Sequence, residues 1–504
     1  MIHDGDGVRE PHRLRAGALG TASITFFVVS AAAPIVAIAG GFPLGMMFGD
    51  GAGFAGMLLL CMGILLLFAA GYTAMARHAV SAGGFYSLVA RGLGGTAGGG
   101  AAMIGLIAYN AMQIGLYGMF GVALRNLLLD YGGVDLPWYL YCALAWACIA
   151  VLGYRQVDLS AKILSVLVVA EYIAVLVLDG AILRKGGAHG INLRSFGPLV
   201  LSGTPSIGFL FCFAGFMGFE ATTIYGEEAR NPERTVPRAT YFAVLLIGLF
   251  YALSMWCLTL GQGVDQLVPH LKSLTDITSF MFDLATRYVG HWLSATMSVL
   301  FVTSIFAGLL AFHNAASRYF FALGREGLLP AALGRTHGAH QSPHIGSLLQ
   351  SALAFVVVAI FAITRSDPVL TLFSWLTNLG TLGIIAAMGL AAAAVPVFFW
   401  RRPDIDPGLF RGTLAPVISC VALWTIFALA NLHFNVLTGS EGAWNIVLPG
   451  LVEAAAVVGV ARARQLRFTA PARFSALGFG GSPENNNKAA QAAQHAEKQS
   501  WINH

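Results

Sequence analysis

Residues 206–238 read SIGFLFCFAGFMGFEATTIYGEEARNPERTVPR, and the organisation of the whole chain turns on this stretch. It begins as an apolar helix, loosens at Ala214-Gly215-Phe216-Met217-Gly218, carries an acid at Glu220 and runs into a charged turn from Gly226 to Arg238. Glycines weaken helical hydrogen bonding while allowing close packing, and a carboxylate at membrane depth is costly unless it has a partner or a wet cavity. A helix built only to span has no use for either feature. The stretch therefore reads as a broken helix lining a solute pathway, with a tightly packed glycine helix around a structural Glu as the alternative.

The 504 residues are 57% hydrophobic and 11% charged, with a mean hydropathy of +0.72, which is outside the range of soluble domains. This composition defines an all-α integral membrane protein. The six cysteines (Cys61, Cys142, Cys148, Cys212, Cys257, Cys420) lie in apolar runs without metal-ligand spacing, and read as small buried hydrophobes. The net charge of +5 is spread over short loops and implies topology, not nucleic acid.

Apolar runs of about 20 residues predict twelve transmembrane spans. They fall near 18–40, 52–76, 99–124, 137–153, 160–182, 206–225, 239–261, 291–317, 345–363, 369–400, 412–435 and 444–461. The first is too long for a cleaved signal peptide. Twelve spans put both termini on one side. Of the 29 Lys and Arg residues, only Arg125, Arg184, Lys185, Arg194, Lys272, Arg287 and Arg365 fall on the other. The asymmetry places both termini in the cytoplasm. The expected domains are an N-terminal cytoplasmic segment (1–17), a transport core (18–400), two peripheral spans (401–465) and a disordered cytoplasmic tail (466–504). Residues 77–91 mix basic, aromatic and glycine residues, as a short cytoplasmic helix or gate would; Arg318–Pro330 makes a similar basic turn, and 262–288 reads as a partly helical outer segment.

Transporters built from inverted repeats interrupt corresponding helices in their two halves. Span 1 supplies a match to span 6, because its run 28–43 holds Pro34 and then Gly40-Gly41. Proline removes a donor and clashes one turn back. Spans 1–5 and 6–10 would be the repeats. Here the sequence resembles the amino acid–polyamine–organocation (APC) superfamily of permeases over roughly residues 15–465. The resemblance rests on AGGFYSLVARGLG (82–94), GFEA (218–221), EEARNPERTVPR (227–238) and ALGREGLLP (322–330), in that order along the chain. It implies a LeuT/APC-like 5+5 inverted repeat with discontinuous helices 1 and 6, alternating access, and a multi-pass protein of the plasma membrane.

The resemblance also implies a site. In that family a Gly-x-Gly break in helix 1 offers amides to a substrate carboxylate, and carbonyls of helices 1 and 6 hold its amine, in line with half-helix dipoles. The matching positions are Ala32, Ala33 and Pro34, so the glycines are gone and one amide with them. Carboxylate capture then falls to fewer amides, those of Ala32, Ala33 and Ile35 within a substrate-binding stretch from Ala31 to Ile35, and a substrate whose carboxylate is absent or differently placed stays open. On span 6, Phe213, Ala214 and Gly215 are the expected unwound positions and Phe216 an aromatic gate. Asn110 and Gln113 share a face of span 3, as Ser374 and Asn378 do of span 10; these are candidate substrate contacts or interhelical glue.

Mid-membrane acids are expected at Glu171, Glu220 and Glu453, and no Lys or Arg sits at a span centre, which favours zwitterionic or cationic cargo. Glu171 falls where proton-coupled relatives carry a helix 5 lysine, and it is the first candidate for proton coupling; Glu220 is the second. Glu453 belongs to a peripheral span. Thr303 and Ser304 are candidate sodium ligands, although adjacent hydroxyls often bond their own helix. His313 and Asn314 read as gate or interface residues.

The expected function is secondary transport of amino acids or related amines, proton-coupled, with sodium coupling, exchange, or a non-transporting solute sensor as alternatives. No phosphate-binding Gly-x-x-x-x-Gly-Lys-Ser/Thr run occurs, and no nucleophile or metal cluster marks an enzyme. No cofactor or nucleic acid is expected. The expected partners are a small-molecule substrate, a coupling ion and the bilayer, and the chain would act as monomer or homodimer.

Overall fold

The computed structural model describes residues 33–78, 84–155, 161–197, 203–220, 231–336, 342–439 and 442–479, with positions 20, 21, 24, 25 and 28. The segment 1–17, Ala31, Ala32, residues 221–230 of the charged turn and the tail beyond 479 lie outside the described residues.

Among the described residues every regular element is a helix. Nine are long and apolar enough to cross a membrane, and two shorter apolar helices, Trp138–Tyr154 and Pro205–Gly215, fall on spans 4 and 6. The longest apolar run, Pro34–Ala76, is really two spans. Residues 42 and 54 would stand about 18 Å apart along a straight helix. The Phe42 and Phe54 rings are instead 5.3 Å apart, so the chain has doubled back. It does so through the tight turn Gly51–Gly53, which Gly51 enters at φ 57°. The twelve expected spans are thereby accounted for. Span 3 covers Gly95–Gly132, span 5 Ala161–Lys185, span 7 Pro232–Gln262, span 8 His291–Glu326, span 9 His344–Ile363, span 10 Pro368–Trp400, span 11 Phe410–Leu432 and span 12 Trp444–Thr469.

Spans 3, 7, 8 and 12 run past their expected ends, and three further boundaries move. Span 1 does not stop at Gly40-Gly41 but stays helical to Asp50, and Gly40 makes room for a neighbour, since a Cβ there would lie 2.9 Å from Met119 Cε. Span 6 keeps its helix through Phe213, Ala214 and Gly215 and unwinds only from Phe216. The C-terminal region expected to be disordered from 466 is helical to Thr469, has a further turn at Pro471–Ser475, and buries Leu477 to 4% exposure. The turn expected over Arg318–Pro330 is mostly span 8 itself, which is helical to Glu326, while two other connections follow expectation. Gly84–Leu93 is a short helix on the basic side of the bundle, and Leu267–Ser273 with Ser279–Tyr288 makes the opposite segment partly helical.

Small residues set how closely the spans approach, as is usual where lipid removes the hydrophobic drive between helices. Span 12 lies on span 3 through Gly99, Gly100, Gly459 and Ala463, where a Cβ on either Gly99 or Gly459 would strike the facing backbone. Spans 1 and 6 meet in the same way at Gly49 and Gly208. Gly459→Ala is expected to destabilise the protein by about 1–3 kcal/mol through overpacking, lowering the melting temperature of the detergent-purified protein. Gly450→Ala on the same span, where nothing stands within 4 Å, should leave it unchanged or slightly raised.

Candidate functional site

The first break lies between Ala33 and Pro34. Ala33 has φ 44° and ψ 67°, a left-handed conformation that an L side chain adopts only at a cost of about 1–2 kcal/mol. Its carbonyl then accepts from Val36 N–H at 2.9 Å and Ala37 N–H at 3.3 Å, so the helix restarts at once. Pro34 occupies the first helical position, where its fixed φ suits the restart and its missing N–H leaves no bond unmade. It therefore restarts a helix rather than kinking a continuous one. The next amide, Ile35 N–H, donates to Glu171 Oε2 at 3.3 Å.

Glu171 comes from span 5 and is 1% exposed. Ser304 of span 8 stands beside the same carboxylate, so spans 1, 5 and 8 converge on it. Thr303 does not join them, and its hydroxyl bonds back to Val299 O at 3.1 Å and Leu300 O at 3.0 Å.

The second break follows Gly215. Phe216 N–H bonds Phe213 O at 3.0 Å and Met217 N–H bonds Ala214 O at 3.2 Å, a tightening of the last turn. Gly218 then takes φ 103°, open in practice only to glycine. Glu220 closes the break: its Oε2 accepts from Gly218 N–H at 2.9 Å, its Oε1 from the Tyr109 hydroxyl of span 3, and its carbonyl from the Tyr72 hydroxyl of span 2 at 3.2 Å. Each interrupted helix thus has a buried carboxylate at its break. Phe216 is 1% exposed and packs edge-on to Tyr251 of span 7 at 6.1 Å, while Gly215 allows Phe42 and Tyr251 to close against span 6.

The carboxamides divide. Gln113 Oε1 accepts from Gln350 Nε2 of span 9 at 2.8 Å and its own Nε2 donates to Tyr117 at 3.2 Å, both glutamines being fully buried. This pair joins spans 3 and 9. Asn110 and Asn378 bond their own helices through Nδ2, to Leu106 O and Ser374 O, each at 2.7 Å. Their Oδ1 atoms and the Ser374 hydroxyl are buried without a hydrogen-bond partner among the described residues. His313 likewise pairs with Ser347 of span 9 at 2.9 Å. Asn314 is buried beside it on span 8, and Glu453 is exposed on span 12.

Three mid-membrane acids do not exhaust the set. Asp179 is 2% exposed on span 5 and accepts from the Ser254 hydroxyl of span 7 at 2.7 Å. Its closeness to Arg184 and Lys185 gives it the look of a span end, and only the partner two helices away marks it as interior. Asp50, at the far end of span 1, is fully buried with neither carboxylate oxygen hydrogen-bonded among the described residues. No group of three metal-ligating side chains occurs among the described residues.

An apolar helical bundle with two interrupted spans and a carboxylate at each interruption defines a polytopic membrane protein built to handle a small solute. The family model "Amino acid permease" matches residues 19–452, and the chain belongs to that family. It is 23% identical to the branched-chain amino acid permease BcaP of Bacillus subtilis (strain 168), over 65% of this chain and 68% of that protein. To the low-affinity putrescine importer PlaP of Escherichia coli (strain K12) it is 21% identical, over 75% of this chain and 82% of that protein. A 25% identical match to the methylthioribose transporter of B. subtilis spans only 44% of each. The family and these relatives are permeases, and the chain is a transporter of amino acids or amines, not an enzyme.

If Gln113 is glue, Gln113→Leu strands the Gln350 amide and costs about 1–3 kcal/mol of stability, while substrate affinity holds. The double replacement Gln113→Leu with Gln350→Leu should recover much of that loss. A fall in affinity without a fall in melting temperature would return Gln113 to the substrate.

Proposed function

We propose that the protein is a proton-coupled secondary transporter of amino acids or related amines in the plasma membrane, both termini cytoplasmic, working by alternating access. The observation that carries the coupling is the Ile35 N–H to Glu171 hydrogen bond at the break of span 1. The amide end of a half-helix favours an anion, and here the chain supplies its own. Protonation removes the charge that holds Glu171 on this amide, which frees the Ile35 N–H for a substrate carboxylate. The carbonyls of Phe213 and Ala214 at the span 6 break, with Asn110, Ser374 and Asn378, are the groups we assign to the rest of the solute. The relatives' named cargoes, branched-chain amino acids and putrescine, support a solute with an amine. The absence of Lys or Arg among the buried residues described supports a zwitterion or cation over an anion.

Reconstituted into proteoliposomes with the outside acidified, the protein should accumulate substrate up to about tenfold per pH unit for one coupled proton. The sign follows from the gradient: outside acid protonates outward-facing Glu171, and the alkaline interior takes the proton off. In Glu171→Gln the uncharged carboxamide stands in for the protonated acid and no longer holds the Ile35 N–H by its charge, so binding and exchange should persist while accumulation falls to equilibration. Accumulation under a sodium gradient alone would instead favour sodium held by Glu171 and Ser304, which lie side by side. Binding with neither accumulation nor exchange would leave a solute sensor.

A further inference from the structure

The C-terminal segment is seated on the basic side of the bundle. After the turn Pro471–Ser475 the chain crosses the short helix Gly84–Leu93 and the end of span 8. Ser87 Oγ donates to Gly478 O at 2.7 Å, Gly478 N–H donates to Glu326 Oε2 at 3.4 Å, and the Arg91 guanidinium covers the Phe479 ring at 4.5 Å. Leu477 is buried below, and Phe474 packs on Gly95 at the start of span 3. The fit depends on one glycine. Gly478 has φ 82°, and a Cβ there would stand 2.9 Å from Ala90 Cβ and 3.2 Å from Ser87 Cα. Burial and neighbouring Arg402 push the Arg91 guanidinium down to about 10, still charged at neutral pH.

These contacts continue inward without a gap. Glu326, which receives the Gly478 amide, also accepts from the Tyr86 hydroxyl at 3.2 Å. Tyr86 meets Tyr319 of span 8 edge-on at 6.1 Å, Tyr319 lies 5.1 Å from Tyr109, and Tyr109 donates to Glu220 at the span 6 break. The segment that grips the short helix therefore touches, through Glu326 and three tyrosines, the carboxylate that closes the broken span.

We propose that residues 471–479 are a latch on the basic-side gate: seated, they hold Gly84–Leu93 against the end of span 8 and keep the Tyr109–Glu220 closure of span 6 in place, and they must loosen for that side to open. The proposal rests on the transporter reading for its consequence but not for its structural test. The element with two positions is the segment itself, and its seated position is biased by a few polar contacts, an energy a transport cycle can readily overcome.

The test uses the full chain with Gly478→Val, which the Ala90 and Ser87 contacts forbid from seating, and Ser87→Ala as a milder variant that removes one hydrogen bond. Hydrogen–deuterium exchange of the detergent-purified protein should show faster exchange both in residues 84–93 and in residues 216–220, with spans 3, 10 and 12 unchanged. In proteoliposomes, substrate exchange at saturating concentration should speed up by about fivefold in Ser87→Ala, the factor that one net hydrogen bond is worth, and by more in Gly478→Val. Faster exchange confined to 84–93, with 216–220 still protected, overturns the link to span 6. A transport rate that is unchanged or lower in a variant with a released segment overturns the latch, and makes the segment a brace. Should wild-type protein move no solute at all, the transporter reading fails, while the hydrogen-exchange result still decides the coupling.

Discussion

Every backbone N–H and C=O in a bilayer must be satisfied within the protein, and an interrupted helix breaks that rule at its interruption. This chain meets the difficulty in the same way twice. At Ala33–Pro34 one amide is deleted by proline and the next is taken by Glu171, and at Gly218 the freed amide is taken by Glu220. The carboxylates need the amides as much as the amides need them, since a buried charge without donors is unstable. Break and acid are one unit. Whatever changes the charge on the acid also changes the energy of the break, and that is how protonation can act on a helix.

The remaining buried polar groups differ in whether they bond across spans or only within their own helix. Gln113 with Gln350, His313 with Ser347 and Asp179 with Ser254 each join two spans through one hydrogen bond, although Gln350 Oε1, His313 Nδ1 and Asp179 Oδ1 have no partner among the described residues. They tie span 9 to spans 3 and 8, and span 5 to span 7. Asn110, Ser374 and Asn378 keep oxygens unmet by the protein. Buried polar atoms are rarely left so, and a group that stays unmet is suited to a ligand that comes and goes.

What was legible in the sequence was local. The apolar runs, the proline in span 1, the glycines and acid of span 6 and the asymmetry of basic residues carry their meaning within about 20 positions, so the spans and the existence of both breaks could be read. What was not legible depends on partners far along the chain. Gln113 and Asn110 look alike on one face of one helix, and only Gln350, 237 positions away, distinguishes glue from free carboxamide. Asp179 acquires its interior character from Ser254, and the region after 470 acquires order from Ser87, Arg91 and Glu326. The span 6 break was placed slightly early because Gly215 serves packing against Phe42 and Tyr251, whereas Gly218 supplies the positive φ.

The departure of span 1 from a glycine-based break has a consequence of its own. A glycine at position 33 would enter the left-handed region without strain; Ala33 does so only because its surroundings compel it. The restart beyond it is stiff, since Pro34 fixes its own φ and Ile35 is held by Glu171. Strain therefore collects at the single residue that precedes the restart. Any state in which Ala33 relaxes to an ordinary conformation gains that strain energy back, about 1–2 kcal/mol, which is comparable to the hydrogen bond between Ile35 and Glu171 that opposes it. The strain at Ala33 and the hydrogen bond at Ile35 are thus contributions of similar size on either side of Pro34.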